Sequence, residues 1–170
     1  MGSKAFRFIN QFSGRVLPID LLMIFISNKI RYLFIFVLIL MWIRKGHYRL
    51  LAITSIYSAG LSLIIYFLIK LFYFKPRPFI NHRVGILIPS KVDSTFPSKH
   101  TMLVFAISTA IYLQERMLGL VMLLLSGLTG LSRVWLGHHY PFDILGSAFI
   151  ASMTSALINL IKRKSEERCL

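Results

Sequence analysis

The sequence predicts an all-α, polytopic membrane bundle of about five transmembrane helices with an N-terminal interfacial helix, in one domain spanning residues 1–170. Two observations of composition carry this. Hydrophobic residues make up 56% of the 170 and charged ones only 15%, where soluble domains have about 45–50% and about 25%. Twenty lysines and arginines plus six acids cannot cover a soluble globule of this size, so soluble, disordered and coiled-coil readings are excluded. The third observation is pattern: long apolar runs are broken by short basic or polar clusters, and mean hydropathy is +0.68.

Taken in order, residues 1–29 interleave Phe8, Ile9, Phe12, Leu21 and Phe25 with Arg7, Arg15, Asp20 and the breakers Gly14 and Pro18, which predicts one or two helices lying at the interface. Residues 30–43 form the first span, with Lys29 and Arg31 snorkelling to the headgroups and Arg44, Lys45 and Arg49 closing it. Residues 50–74 form the second. Residues 75–100 are the one long polar loop, punctuated by glycine and proline. A single helix over 101–131 would be about 46 Å long against an apolar core of about 30 Å. It would also bury Gln114, Glu115 and Arg116 at mid-membrane, so a hairpin of two short spans turning at those residues is predicted. A second polar patch covers 132–143. The last span then runs to Ile161, ahead of a basic, cytoplasm-like tail at 162–170. In that span Ser147, Ala151 and Ser155 share one face and Ala148, Ser152 and Ala156 the next, the small-residue spacing of close helix packing. The hairpin between the two polar loops puts both on one face of the membrane.

A net charge of +14 suggests nucleic acid or anionic lipid as a partner. With no soluble basic segment to carry it, nucleic acid is excluded. The acids Asp20, Asp93, Glu115, Asp143, Glu166 and Glu167 show no ligand spacing outside the tail pair, and Cys169 is the sole cysteine. No carboxylate metal site, cysteine zinc site, internal disulfide or cofactor is therefore expected. Neither a lipidation box nor a cleavable leader is expected.

Three polar clusters hold the chemistry: Lys70 with Arg77-Pro78; Pro97-Ser98-Lys99-His100; and Ser132-Arg133, His139 and Asp143. Singly each has a bland reading: a snorkelling lysine, an ordinary serine N-cap, a structural His–Asp pair facing across one helical turn. Together they supply anion binders and a helix N-terminus beside two histidines and an acid, a set suited to phosphoryl transfer by charge neutralisation and positioning.

In order and internal spacing, the three clusters resemble the three-part signature of the type-2 phosphatidic acid phosphatase superfamily, over residues 70–143. Lys99 stands where that family often has glycine, and it retains the backbone N–H. The segments ILIPSKVDSTFPSKH and LSRVWLGHHYPFDILGS are most similar to bacterial undecaprenyl-diphosphatases of the bacitracin-resistance type. The resemblance implies hydrolysis of a polyprenyl diphosphate to the monophosphate carrier on the outer face of the bacterial plasma membrane. It implies His139 as nucleophile with Asp143 holding its other ring nitrogen, and His100 as acid and then base. Lys70, Arg77, Ser98, the Lys99 amide, Ser132 and Arg133 would hold the phosphoryl oxygens, without metal. His138, His82, Lys75, Arg83 and Lys91 match no motif position and read as solvated or interfacial, Lys75 alone being within reach of a second phosphate; the aromatics Phe72, Tyr73, Phe74, Trp135 and Tyr140 read as belt or wall.

Phosphatidylglycerophosphate or phosphatidate is the alternative substrate, and a non-enzymatic anion-binding membrane protein the alternative of another class. The latter leaves the two histidines and their aspartate unexplained. With the polar loops outside, eight cations fall inside and twelve outside, or eight on each side once Lys70, Arg77, Lys99 and Arg133 are set apart, so charge alone does not orient the chain. Oligomeric state is not legible.

Overall fold

A computed structural model describes residues 2–81, 87 and 93–168. His82, Arg83, Lys91 and Cys169 lie outside them. Among the described residues the only regular elements are helices: α1 (Gly2–Asn10), α2 (Leu17–Ile43), α3 (His47–Phe72), the single turn α4 (Pro78–Asn81), α5 (Lys99–Tyr112), α6 (Arg116–Trp135) and α7 (Pro141–Arg168). Four of these, α2, α3, α6 and α7, are long and apolar enough to cross a membrane. The protein is a multi-pass membrane protein.

At 14 residues α5 is about 21 Å long, yet it is the central element, packed on α3, α6 and α7. The predicted hairpin is present: α5 ends at Tyr112 and α6 starts at Arg116. A Cβ on Gly119 would lie 2.1 Å from the Tyr112 Cα, so only glycine lets the two helices close at that turn.

The small-residue stripe of α7 faces α5. Ser147, Ala151 and Ser155 are fully buried; the Ser155 hydroxyl donates to the Ala106 carbonyl at 2.7 Å, and Ser147 Oγ accepts the Ser98 amide at 2.8 Å. Ser108 and Ser126 tie α5 to α6 through a 2.7 Å hydroxyl bond. Hydroxyls at such interfaces find acceptors where lipid supplies none. Bulky side chains such as Phe36, Trp42, Phe67, Leu124, Phe149 and Leu157 point outward instead, toward the bilayer.

The N-terminal part departs from expectation. The helix assigned to 30–43 begins at Leu17, so residues 17–29 are its first turns and continuous with the span. Pro18 sits in the opening turn, where its missing N–H leaves no bond unmade. Asp20 accepts the Gly14 amide and the Trp135 indole N–H, fixing that end to α6. Ahead of it, α1 packs on α6 and α7 through Phe6, whose ring meets Tyr140 edge-on at 5.5 Å, and Asn10 donates to the Trp135 carbonyl at 2.9 Å.

Candidate active site

The segments 73–77, 93–98 and 136–140 meet at one end of the bundle, as the parity of the spans requires. The Thr95 amide donates to the Lys75 carbonyl at 2.8 Å, and Thr95 in turn contacts His139 and Asp143.

Lys70, in the last turn of α3, donates to Tyr66 Oη at 3.0 Å and to Asp93 Oδ2 at 2.5 Å. Arg77 is buried and reaches the same carboxylate, Nε at 2.7 Å and Nη2 at 2.5 Å from Oδ1. The two cations of the first cluster are thus brought together on one anion. Burial alone would raise the Asp93 pKa; the hydrogen bonds and charges of Lys70 and Arg77 outweigh it and hold the carboxyl below its ordinary value. Sequence reasoning passed over Asp93, although an acid seven residues before His100 in a basic loop is itself a signal.

The third cluster folds as a unit at the end of α6. Gly137 adopts φ +75°, a conformation suited to glycine, and turns the chain so that the His138 and His139 amides both return to the Arg133 carbonyl at 3.1 and 3.3 Å. His139 is buried, with Nδ1 at 2.6 Å from the Thr95 carbonyl oxygen. A carbonyl only accepts, so Nδ1 carries the proton and Nε2 presents its lone pair. Burial, with Arg133 and Arg77 nearby, keeps the ring neutral, its pKa well below the usual 6.5 despite the opposing pull of the Thr95 carbonyl.

Asp143 does not face His139 across a helical turn. Pro141 opens α7, so His139 lies before the helix and the two side chains are not one turn apart on a common face. The Asp143 carboxylate instead receives the Thr95 hydroxyl at 2.9 Å, the Tyr140 amide at 3.2 Å and Lys75 Nζ at 2.5 Å. Thr95 Oγ1 lies 3.3 Å from His139 Nδ1, so the acid meets the imidazole through a threonine. Lys75, left without a motif role by sequence, is the counter-ion of this buried carboxylate and lies 4.9 Å from the Tyr140 ring centre.

Ser98 caps α5 by backbone geometry, without a side-chain cap bond; its hydroxyl accepts from Thr101 at 3.0 Å. Ser132 donates its hydroxyl to the Thr129 carbonyl of its own helix, 2.7 Å away, and is fully buried. Arg133 is buried, with Nη1 on Ser27 Oγ at 2.8 Å, while its Nε is buried and meets no acceptor among the described residues. His100 opens α5 and faces Arg31, whose Nη1 stands 3.5 Å from Nε2. Ser27 and Arg31 are four apart on α2, so both face this site. Among the described residues no three His, Cys, Asp or Glu side chains gather at metal-ligand distance.

The PAP2 superfamily model matches residues 51–167. The undecaprenyl-diphosphatase BcrC of Bacillus subtilis (strain 168) is 38% identical over 156 residues, covering 89% of this chain and 79% of that protein. Two crystal structures share the fold: LpxE of Aquifex aeolicus, at TM-score 0.80 and 24% identity over 92% of this chain and 93% of that one, and a transmembrane PAP2-type phosphatidylglycerolphosphate phosphatase from Bacillus subtilis, at 0.72 and 18% over 95% and 86%. The motifs, the bundle and these matches agree, and the chain belongs to the PAP2 superfamily as a membrane-embedded phosphatase.

Proposed function

We propose that the protein hydrolyses the terminal phosphate of a polyprenyl diphosphate, converting undecaprenyl diphosphate to undecaprenyl phosphate plus phosphate on the outer face of the plasma membrane and so recycling the cell-wall lipid carrier. The observation that carries the chemistry is His139, a buried neutral imidazole with Nδ1–H committed to the Thr95 carbonyl, no hydrogen bond to Nε2 among the described residues, and Arg133 and Arg77 nearby. The 38% identical relative named as an undecaprenyl-diphosphatase supports the substrate.

In this mechanism the terminal phosphate displaces Asp93 from Lys70 and Arg77 and takes the free Nε–H of Arg133 and the amides opening α5. His139 Nε2 forms an N–P bond as the P–O bond to the bridging oxygen breaks; that oxygen keeps the electron pair and takes a proton from His100. Water then attacks phosphorus, giving its proton to His100; the N–P bond breaks and phosphate leaves. Neutralising the equatorial oxygens falls to the cations, so no metal is required.

A terminal phosphate monoester fits the same cradle, which makes phosphatidylglycerophosphate or phosphatidate the second substrate reading. Phosphate release by purified protein in detergent with EDTA, compared across these lipids, tests both. Preferred release from the C55 diphosphate is expected. Preference for a glycerophospholipid selects the second reading, no release from any lipid refutes the enzyme, and dependence on added Mg²⁺ refutes the metal-free route.

A further inference from the structure

A cavity of about 260 Å³ adjoins His100, with Arg31, Lys99 and Ser27 as its polar lining and Leu103 and Val104 as apolar wall. We infer that it is the subsite for the lipid-side phosphate of a diphosphate, and that Arg31 is the residue that selects diphosphate over monoester. The inference rests on the diphosphate reading above.

The first argument is direction. In-line displacement puts the leaving oxygen opposite the attacking Nε2 of His139, and the acid that protonates it must stand on that side. If His100 is that acid, the lipid phosphate lies beyond it, in this cavity. For a monoester lipid the leaving oxygen departs as part of an alcohol; for a diphosphate it departs as part of a phosphate, on which negative charge builds in the transition state until His100 delivers its proton. A cation here therefore acts on the transition state of a diphosphate and has little to act on in a monoester.

Charge compensation is the second. Lys70 and Arg77 share Asp93, and Lys75 holds Asp143. Arg31 and Lys99 have no carboxylate partner among the described residues: Arg31 contacts His100, the Tyr32 hydroxyl at 3.2 Å and the Tyr32 ring at 5.0 Å, and Lys99 stands 5.9 Å from the Phe67 ring centre. Two uncompensated cations beside one acid, at the edge of the apolar bundle, are a phosphate site by composition. The aliphatic wall gives the first units of a polyprenyl tail a surface to lie on as it leaves for the bilayer. Arg31 suits the task better than a lysine, because its fork holds two phosphate oxygens at once.

Arg31→Met and Arg31→Lys test this, with kcat/KM for undecaprenyl diphosphate and inhibition by two products, undecaprenyl phosphate and inorganic phosphate, as readouts. Removing a charge-assisted contact predicts a loss of about 10- to 100-fold in kcat/KM for Arg31→Met. Weaker inhibition by undecaprenyl phosphate is expected with it, inorganic phosphate still binding the inner cradle as before; Arg31→Lys falls between. Unchanged turnover of the diphosphate by Arg31→Met, or equal weakening of both products, overturns the assignment of Arg31. A wild-type protein that releases no phosphate from undecaprenyl diphosphate overturns the substrate reading itself, and this inference with it.

Discussion

Thr95→Val isolates how Asp143 acts. The substitution keeps the shape of a fully buried side chain and the backbone carbonyl that accepts His139 Nδ1–H, but deletes the hydroxyl that donates to Asp143 Oδ2 at 2.9 Å and lies 3.3 Å from the ring. Asp143 keeps Lys75 and the Tyr140 amide, so the loss is one hydrogen bond to a charged group, about 1.5–3 kcal/mol. At about 1.4 kcal/mol per decade, kcat falls about 10- to 100-fold if most of that loss appears in the transition state. KM hardly moves, because the hydroxyl touches no substrate. Phosphate release under saturating substrate measures this, with Thr95→Ser restoring the rate. The double variant with Asp143→Asn should be no slower than Asp143→Asn alone, since both remove the same connection. Wild-type turnover by Thr95→Val beside an inactive Asp143→Asn would refute the reasoning, because the aspartate would then act on the imidazole without the threonine.

Asp93→Asn removes the anion that Lys70 and Arg77 share, so inorganic phosphate should inhibit several-fold more tightly; an unchanged inhibition constant would mean that phosphate does not compete for those cations. The pH dependence follows from His139. Its folded-state pKa lies well below 6.5, so the neutral nucleophile persists through that pH and kcat/KM shows no His139 limb there; a fall centred on 6.5 would contradict this. Stability runs the other way: below about 6.5 the unfolded chain takes up a proton that the folded site excludes, so the melting temperature in detergent should drop between pH 7 and pH 5. Sidedness is read in whole cells, with Cys169→Ser as background. A thiol reagent that cannot cross membranes should label Gln11→Cys, near the site-bearing end, and spare Lys45→Cys at the opposite end; the reverse puts the site inside.

What the sequence made legible was chemistry at fixed spacing and breaks in apolarity. The hairpin at Gln114-Glu115-Arg116 and the close face of Ser147, Ala151 and Ser155 follow from costs that act locally along a helix, and both appear in the fold. The residues that were misread depend on partners far along the chain. Asp143 looked like a direct partner of His139 because four-residue spacing assumes one helix, whereas Pro141 starts the helix between them. Arg31 looked like a snorkelling cation because its contact, His100, is 69 residues away. Pro18 looked like a breaker because the same residue that ends helices also opens them, and only the Asp20 bonds to Gly14 and Trp135 tell which. Ser132, a motif position, spends its hydroxyl on Thr129 one turn back, a competition that a motif alone does not record.

The account turns on a covalent step at His139, and a single-turnover quench tests that step most directly. Protein mixed with substoichiometric undecaprenyl diphosphate labelled in its terminal phosphate, stopped in alkali and mapped by mass spectrometry, should carry an acid-labile phosphoryl group on His139, and the His139→Ala protein should carry none while remaining folded. Label on another residue, or full turnover by His139→Ala, would contradict it.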